Sequence, residues 1–263
     1  MNSLHSTSLA LDDSGSPHPP RGSATLRAGR PRRANSLMRK FEAAALLPDF
    51  SISFQQHVGP AVRLFEDACS AFARGTLIHT VNGPIAIEDL LPGDYVESSA
   101  GTQPVTWIGS TTYVPGVVSE GTTLTGLTRI TSDAFGSGRP ETDVVVGPAA
   151  RMLVHRPKLK SIIGQDRILV PVSDYADGDG IVQVTPAGGV QLYHLMLGRH
   201  GTIRVGGLDV ETYHPGQALA RVEGPSEWAL FLSMFPGIEQ PGDFGELTFS
   251  RSTREVIDGL CAM

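Results

Sequence analysis

The chain has 263 residues, of which 40% are hydrophobic and 18% are charged, and its formal net charge at pH 7 is −6. This composition supports a folded core, so it excludes a protein that is disordered throughout, and the negative charge provides no basic surface for nucleic acid. The 30 glycines and 19 prolines indicate a turn-rich chain, which favours many short strands over long helices.

Residues 1–35 are predicted to form a disordered arm, because Ser, Pro, Gly and His dominate and the segment has no apolar periodicity. A solvated tail is favoured over a role in targeting or in anion binding. The arm also carries a cluster of arginines, namely Arg21, Arg27, Arg30, Arg32 and Arg33.

The sequence contains no signal that assigns a compartment. No compact apolar region follows a basic start, which argues against a Sec signal peptide, and no apolar run approaches the ~18 residues of a membrane span. We therefore expect no membrane span, and either a cytoplasmic location or non-classical export. Cys69 and Cys261 are too few for a disulfide framework, and their separation does not match metal-ligand spacing.

Residues 36–70 form a lead segment before the first clear β pattern. Residues 37–47 fit either one or two helical turns that end before Pro48 or a strand followed by a turn, since periodicity does not decide between them.

From Gly75 onward the pattern is that of a β protein. Short apolar runs alternate with Gly, Pro, Asp and Ser, which favours a sandwich or barrel-like all-β fold over a parallel sheet. Residues 91–94 are predicted to form a turn, because Pro92 has a fixed φ and Gly93 is free to take a positive φ. The predicted strands are 76–78, 95–96, 105–108, 124–130, 144–146, 152–154, 168–170, 181–184, 190–195, 203–205 and 210–213.

The character of the chain changes over residues 217–263, which we interpret as a C-terminal helical extension. Residues 225–235 begin with Pro225 and an early Glu and then become strongly apolar, so they are predicted to form a short helix that packs on the sheet. Its Trp228 and Phe231 are interpreted as core residues. Residues 253–260 are predicted to form a weaker terminal helix.

A series of short motifs begins near residue 71, namely Phe72, Gly75-Thr76, Glu88-Asp89-Leu90, Pro92-Gly93-Asp94, Val96 and Trp107-Ile108-Gly109. In this order they resemble the opening of the Hedgehog/intein (Hint) self-processing module in its bacterial form, and the resemblance extends over the region 71–216. It implies a compact, curved β structure with internal pseudo-twofold symmetry. Family members start with Cys-Phe, whereas this chain has Ala71 before its phenylalanine.

An active Hint module converts its own upstream peptide bond into an ester or thioester. This acyl shift needs a nucleophile at the first position, a group that protonates the departing nitrogen and a polar site for the oxyanion. In the family the second role belongs to a Thr-x-x-His or Ser-Pro-x-His motif, whose hydroxyl and imidazole positions are Gly147 and Ala150 here. A third matching block, residues 193–200, contains His194 and is followed by a closing hairpin at 205–216.

The resemblance therefore implies a Hint domain that has lost autoprocessing and serves as a binding or structural module, with no cofactor and with an unidentified protein partner. A chain that still cleaves itself would need Ser70 or Cys69 as a substitute nucleophile at a neighbouring bond. A third alternative is an adaptor whose arginine-rich arm recruits an acidic partner. The additional change at Gly147 favours natural loss over engineered alanines.

Two further groups of residues admit a metal interpretation, and in both the simpler interpretation is favoured. His194 and His200 alternate with apolar residues but have no third ligand at a suitable spacing, so they are interpreted as satisfied histidines. Asp174, Asp177 and Asp179 lack the terminal Glu of an EF-hand, so an exposed hairpin turn is expected there. No metal site is predicted.

Overall fold

The computed structural model describes residues 37–222 and 224–262, and the predicted disordered arm at 1–35 lies outside the described residues. The described part is mostly β, as the sequence predicts, and its strands join in one antiparallel sheet that does not close into a barrel. The strands are β1 (Met38–Leu46), β2 (Ile52–Pro60), β3 (Phe72–Ala73), β4 (Leu77–Thr80), β5 (Gly83–Ala86), β6 (Tyr95–Ser98), β7 (Gly101–Tyr113), β8 (Leu127–Ile130), β9 (Val144–Val146), β10 (Arg151–His155), β11 (Arg167–Pro171), β12 (Ile181–Val184), β13 (Val190–Leu197), β14 (Thr202–Val205) and β15 (Leu208–Glu211).

The helices are short and lie outside the sheet. Besides the α-helices there are short 3₁₀ helices at Val172–Tyr175, Gly216–Arg221 and Pro241–Phe244. None of the helices in the described part has the length and apolar character needed to cross a membrane. The α-helices are α1 (Arg63–Asp67), α2 (Leu159–Ile163), α3 (Pro225–Leu232) and α4 (Arg254–Ala262).

Strand β7 is the longest element and organises the sheet. Its first residues pair with β6, and its later residues pair with β1 on one edge and with β13 on the other. Trp107 within it is 1% exposed; its Nε1–H donates to the carbonyl of Met234 at 2.6 Å, and its ring stacks on Phe235 with 4.4 Å between centroids. The strand therefore fixes the C-terminal extension to the sheet.

The lead segment is a β-hairpin, which resolves the choice that the sequence left open for residues 37–47. β1 and β2 pair over all nine residues of each strand. Phe41, Ala43 and Ala45 are buried while Lys40 is exposed, so the side chains alternate with the period of two that a half-buried strand requires. The predicted helices 225–235 and 253–260 are present as α3 and α4.

The turn at residues 91–94 has the predicted geometry. Gly93 has a φ of 101°, and the N–H of Asp94 donates to the carbonyl of Leu91 at 3.0 Å. A positive φ at the third position with proline at the second is the arrangement of a type II turn. This turn joins the β4–β5 region to β6 and so sets the path into β7.

Candidate functional site

The peptide bond between Ser70 and Ala71 lies against the turn formed by residues 147–150. The N–H of Ala149 donates to the carbonyl of Ser70 at 3.2 Å, and the N–H of Gly147 donates to the carbonyl of Ala71 at 2.9 Å. On the other side, the N–H of Ala71 donates to the carbonyl of Tyr193 at 2.9 Å. The fold thus brings together the first position and the 147–150 motif that the resemblance aligned.

The side chains at the aligned positions 71, 147 and 150 carry no reactive group. Ala71 is 0% exposed and Ala150 is 2% exposed, and both belong to the main hydrophobic core. A backbone N–H directed at a carbonyl oxygen is the arrangement that stabilises a tetrahedral oxyanion. The N–H of Ala149 could therefore stabilise an oxyanion on the Ser70 carbonyl. The aligned positions supply neither a nucleophile nor a proton donor.

Gly147 lacks a hydroxyl, and the packing around it also leaves no room for a side chain. A Cβ atom at this position would lie 2.1 Å from the carbonyl oxygen of Ser70 and 2.9 Å from its carbonyl carbon. Both contacts are with backbone atoms, which cannot rotate away as a flexible side chain can. The motif alignment identifies Gly147 but gives no sign of this close approach, because it depends on how the turn sits on the Ser70–Ala71 bond.

The two substitute nucleophiles are both fully buried. Burial raises the pKa of the Cys69 thiol well above its usual value, and the thiol rather than the nucleophilic thiolate is therefore the stable form. The Ser70 hydroxyl is buried and has no hydrogen-bond partner among the described residues. Cys69 and Cys261 are free thiols.

His194 lies in the core beside the same peptide segment. Its ring makes edge contacts with Phe72 and Tyr213, with centroid distances of 5.6 and 5.3 Å, and it is 2% exposed. Nδ1 accepts the N–H of Leu195 at 3.1 Å, which places the ring proton on Nε2. Burial lowers the pKa of His194 to about 3, so the imidazole is neutral at physiological pH.

We expect His194 to make the domain acid-sensitive. Its pKa is about 3 in the folded chain and 6.5 in the unfolded chain, so below pH 6.5 the unfolded state binds the extra proton. The stability that neutral His194 contributes is complete above pH 6.5 and is lost as the pH falls towards 3, at up to about 1.4 kcal/mol per pH unit. Urea unfolding of wild type and His194→Gln between pH 7 and 4 measures this difference.

The control for this experiment is His79→Gln, which removes an exposed histidine. His79→Gln should follow the wild-type pH dependence, whereas His194→Gln should lose stability less steeply on acidification. If the free energy of unfolding of wild type and of His194→Gln fell equally with pH, the role of His194 in acid sensitivity would be contradicted.

A buried network of charges surrounds Glu211, which is 1% exposed, and sequence reasoning did not find it. The Nε2 atom of His200 donates to Glu211 Oε1 at 2.9 Å, Arg251 Nε donates to the same oxygen at 2.8 Å, and Arg151 Nη1 donates to Oε2 at 3.3 Å. Burial raises the pKa of Glu211, but the hydrogen bond from His200 and the two guanidinium charges outweigh it and lower the pKa to about 2.

Two of the residues that admitted a metal interpretation, His200 and Asp177, make other contacts with their side chains. His200 uses both ring nitrogens, because Nδ1 accepts the N–H of Thr248 at 3.1 Å. Asp177 Oδ1 accepts the N–H groups of Asp179 and Ile181, which closes the turn before β12. Within residues 37–222 and 224–262, no group of three or more His, Cys, Asp or Glu side chains is arranged to hold a metal ion.

The geometry can be compared with known proteins. A family model described as the Hint domain matches residues 70–217, which is more than half of the chain. The match starts at Ser70, one residue before the first aligned position, and includes the 147–150 turn and His194. A search of curated proteins returned no match.

Proposed function

The chain belongs to the Hint domain family, and we propose that its domain has lost autoprocessing and serves as a non-catalytic binding or structural module. The observation that carries this proposal is the chemistry around the Ser70–Ala71 bond. The bond is held in place by backbone hydrogen bonds, but Ala71, Gly147 and Ala150 offer only methyl groups and hydrogen.

Magnitudes support the loss of activity. A positioned general acid contributes about 10²–10⁴ in rate, and the acyl shift has no pathway without a nucleophile at the first position. The N–H of Ala149 at the Ser70 carbonyl can stabilise charge on that oxygen, but it cannot attack the carbonyl carbon. One retained oxyanion donor does not replace the two missing functions.

The lead segment offers a second line of support. In an active module the segment before the first position is released or transferred, whereas here it is part of the core. β1 pairs with β7 over residues 41–45, and Phe41 and Phe65 are both 0% exposed. Arg39 and the fully buried Glu66 form an ion pair with 3.1 Å between Nε and Oε1. A segment that completes the core in this way is suited to a permanent structural role.

The second candidate is a cis-acting self-cleaving protein that uses Ser70 or Cys69. The buried hydroxyl of Ser70 favours it, because this group has no hydrogen-bond partner among the described residues and lies next to the bond that it would attack. The raised pKa of Cys69 weighs against the thiol. Either attack would cleave a bond other than the one held by the 147–150 turn.

Intact mass separates the two candidates. The purified full chain, incubated with and without hydroxylamine or dithiothreitol, is expected to remain a single species of full-length mass, because no aligned position carries a nucleophile. New termini within residues 69–71 would contradict the proposal. Parallel incubations of Ser70→Ala and Cys69→Ala then identify the nucleophile, since only the variant that lacks it would stay intact.

A further inference from the structure

Strand β2 pairs with β1 and with no other strand among residues 37–222 and 224–262, so one of its edges has no partner strand in that part of the chain. Across the described ranges, no backbone group of residues 53–59 forms a hydrogen bond outside that pairing. A nine-residue strand with an open edge presents a row of unpaired N–H and C=O groups, which is a template for another strand.

This edge lacks the features by which soluble proteins protect open strands. Residues 50–62 contain no charged side chain. On the face of β2 that points away from the core, Phe54 is 70% exposed and Val58 is 61% exposed. Pro60 interrupts the ladder only at the last residue of the strand. Open edges usually carry charges, bulges or internal prolines, so a long, uncharged and apolar edge indicates a surface that is covered in use.

We propose that β2 pairs antiparallel with β2 of a second copy of this chain, in a two-fold dimer centred on Gln56. A two-fold axis requires the same strand from each copy to run antiparallel to itself. With Gln56 opposite itself, Phe54 of one copy lies opposite Val58 of the other and Gln55 lies opposite His57. Pairs of an aromatic and a β-branched side chain directly opposite each other stabilise antiparallel sheets.

The charges that flank the strand fit this arrangement. Asp49 precedes the uncharged run and Arg63 follows it. Antiparallel pairing about Gln56 brings Asp49 of each copy to the end where Arg63 of the other copy lies, and it opposes no like charges. Asp49 now bonds to Ser51 and Arg63 pairs with Asp67, whose side chain is only 15% exposed. Asp49 is itself exposed and the Arg63 side chain is 55% exposed, so both can form the additional contact.

A second copy fits the edge better than the N-terminal arm does. The arm contains Pro17, Pro19, Pro20 and Pro31, and each proline removes a donor from a strand ladder. The arm has no alternating apolar run to match Phe54 and Val58. Its contribution is tested below by deletion.

Sedimentation velocity across a micromolar concentration series tests the proposal on the full chain. Wild type should sediment as a dimer, and Val58→Glu should lose the dimer, because each copy would place a charge opposite Phe54 of the other. The matched control is Val118→Glu, the same change at a side chain that is 70% exposed elsewhere on the surface, and it should remain dimeric. Circular dichroism and thermal unfolding verify that both variants are folded.

Disulfide cross-linking tests the register. In a Cys261→Ser background, Gln56→Cys should form a covalent dimer under mild oxidation, whereas Ser53→Cys should not, because Ser53 lies opposite Gly59 in the proposed pairing. A monomeric wild type, or equal behaviour of Val58→Glu and Val118→Glu, would overturn the proposal. So would a chain that becomes dimeric only after deletion of residues 1–35, since the arm would then cover the edge.

Discussion

Replacing Gly147 with serine is expected to destabilise the domain by roughly 3 kcal/mol, although serine is the residue that an active family motif would carry here. The new Cβ would lie 2.1 Å from the carbonyl oxygen of Ser70, and a real Cβ essentially never approaches a heavy atom closer than 3.0 Å. Relief requires the Ser70–Ala71 peptide or the 147–150 turn to move within a packed core, and overpacking of this kind costs about 1–3 kcal/mol or more. Urea unfolding measures the change.

The matched control is Gly188→Ser. A Cβ at Gly188 would have no heavy atom within 4 Å, and its φ lies outside the left-handed region. The same substitution there should change the free energy of unfolding by less than about 0.5 kcal/mol, as surface substitutions usually do. Equal free energies of unfolding for Gly147→Ser and Gly188→Ser would contradict the prediction, because they would show that the 147–150 turn moves to admit a Cβ at no cost in stability.

Under the proposed loss of autoprocessing, this result bears on whether substitutions could supply a catalytic site. Cysteine at position 71 and histidine at position 150 would supply a nucleophile and a proton donor, but both residues would enter sites that are less than 3% exposed. A hydroxyl at position 147 would in addition displace the bond to be attacked. We infer that the backbone has adapted to glycine, so that three substitutions alone would not rebuild the catalytic geometry.

The resemblance placed Ala71 and residues 147–150 at two separate family motif positions, because its motifs fix the register of the framework. The structure brings these two segments into contact through two backbone hydrogen bonds, from Ala149 to Ser70 and from Gly147 to Ala71. The resemblance could not predict the close contact at Gly147, because an alignment carries residue identities and no distances. It also could not predict the contact of His200 with Glu211, because the spacing of residues in the sequence does not show which side chains meet in the fold.

The turn-rich composition and the short apolar runs are enough to predict the fold class, but they do not predict the lengths of the strands. The sequence predicts a strand only at 105–108 where β7 spans Gly101–Tyr113, because the polar residues at both ends interrupt the apolar pattern, while the structure pairs them with β6 at one end and with β1 and β13 at the other. β2 was missed, since its polar centre interrupts the apolar pattern. Alanines in β1 fit a helix as well as a strand, and the pairing of β1 with β2 and β7 decides between them.

The network at Glu211 was not predictable for a different reason. Its members are Arg151, His200, Glu211 and Arg251, which are separated by up to 100 positions and belong to no common motif. A buried carboxylate with two guanidinium partners arises only when the last segment of the chain returns to the sheet. Arg251 also donates to the carbonyl of His214 at 2.7 Å, so this network connects the C-terminal extension to the family domain.

Replacing Glu211 with glutamine is expected to destabilise the domain by about 3–5 kcal/mol. Removing one partner of a buried ion pair is strongly destabilising. Here Arg251, whose side chain is 20% exposed, would lose its carboxylate partner, and Arg151, whose side chain is 12% exposed, would keep only Asp67 at 3.6 Å. The matched control is Glu42→Gln, which removes the same charge from a pair with Lys40 whose side chains are 42% and 57% exposed. That change should cost no more than about 0.5 kcal/mol.

The pH dependence of the unfolding free energy tests whether Glu211→Gln destabilises the domain through the lost charge or through altered packing. The folded pKa of about 2 lies below the unfolded value of 4.5, so the carboxylate contributes fully above pH 4.5 and progressively less as the pH falls towards 2. The difference in unfolding free energy between wild type and Glu211→Gln should therefore be constant from pH 7 to 5 and narrow below pH 4.5. A difference that stays constant to pH 3 would contradict the assignment, because the loss would then come from packing alone.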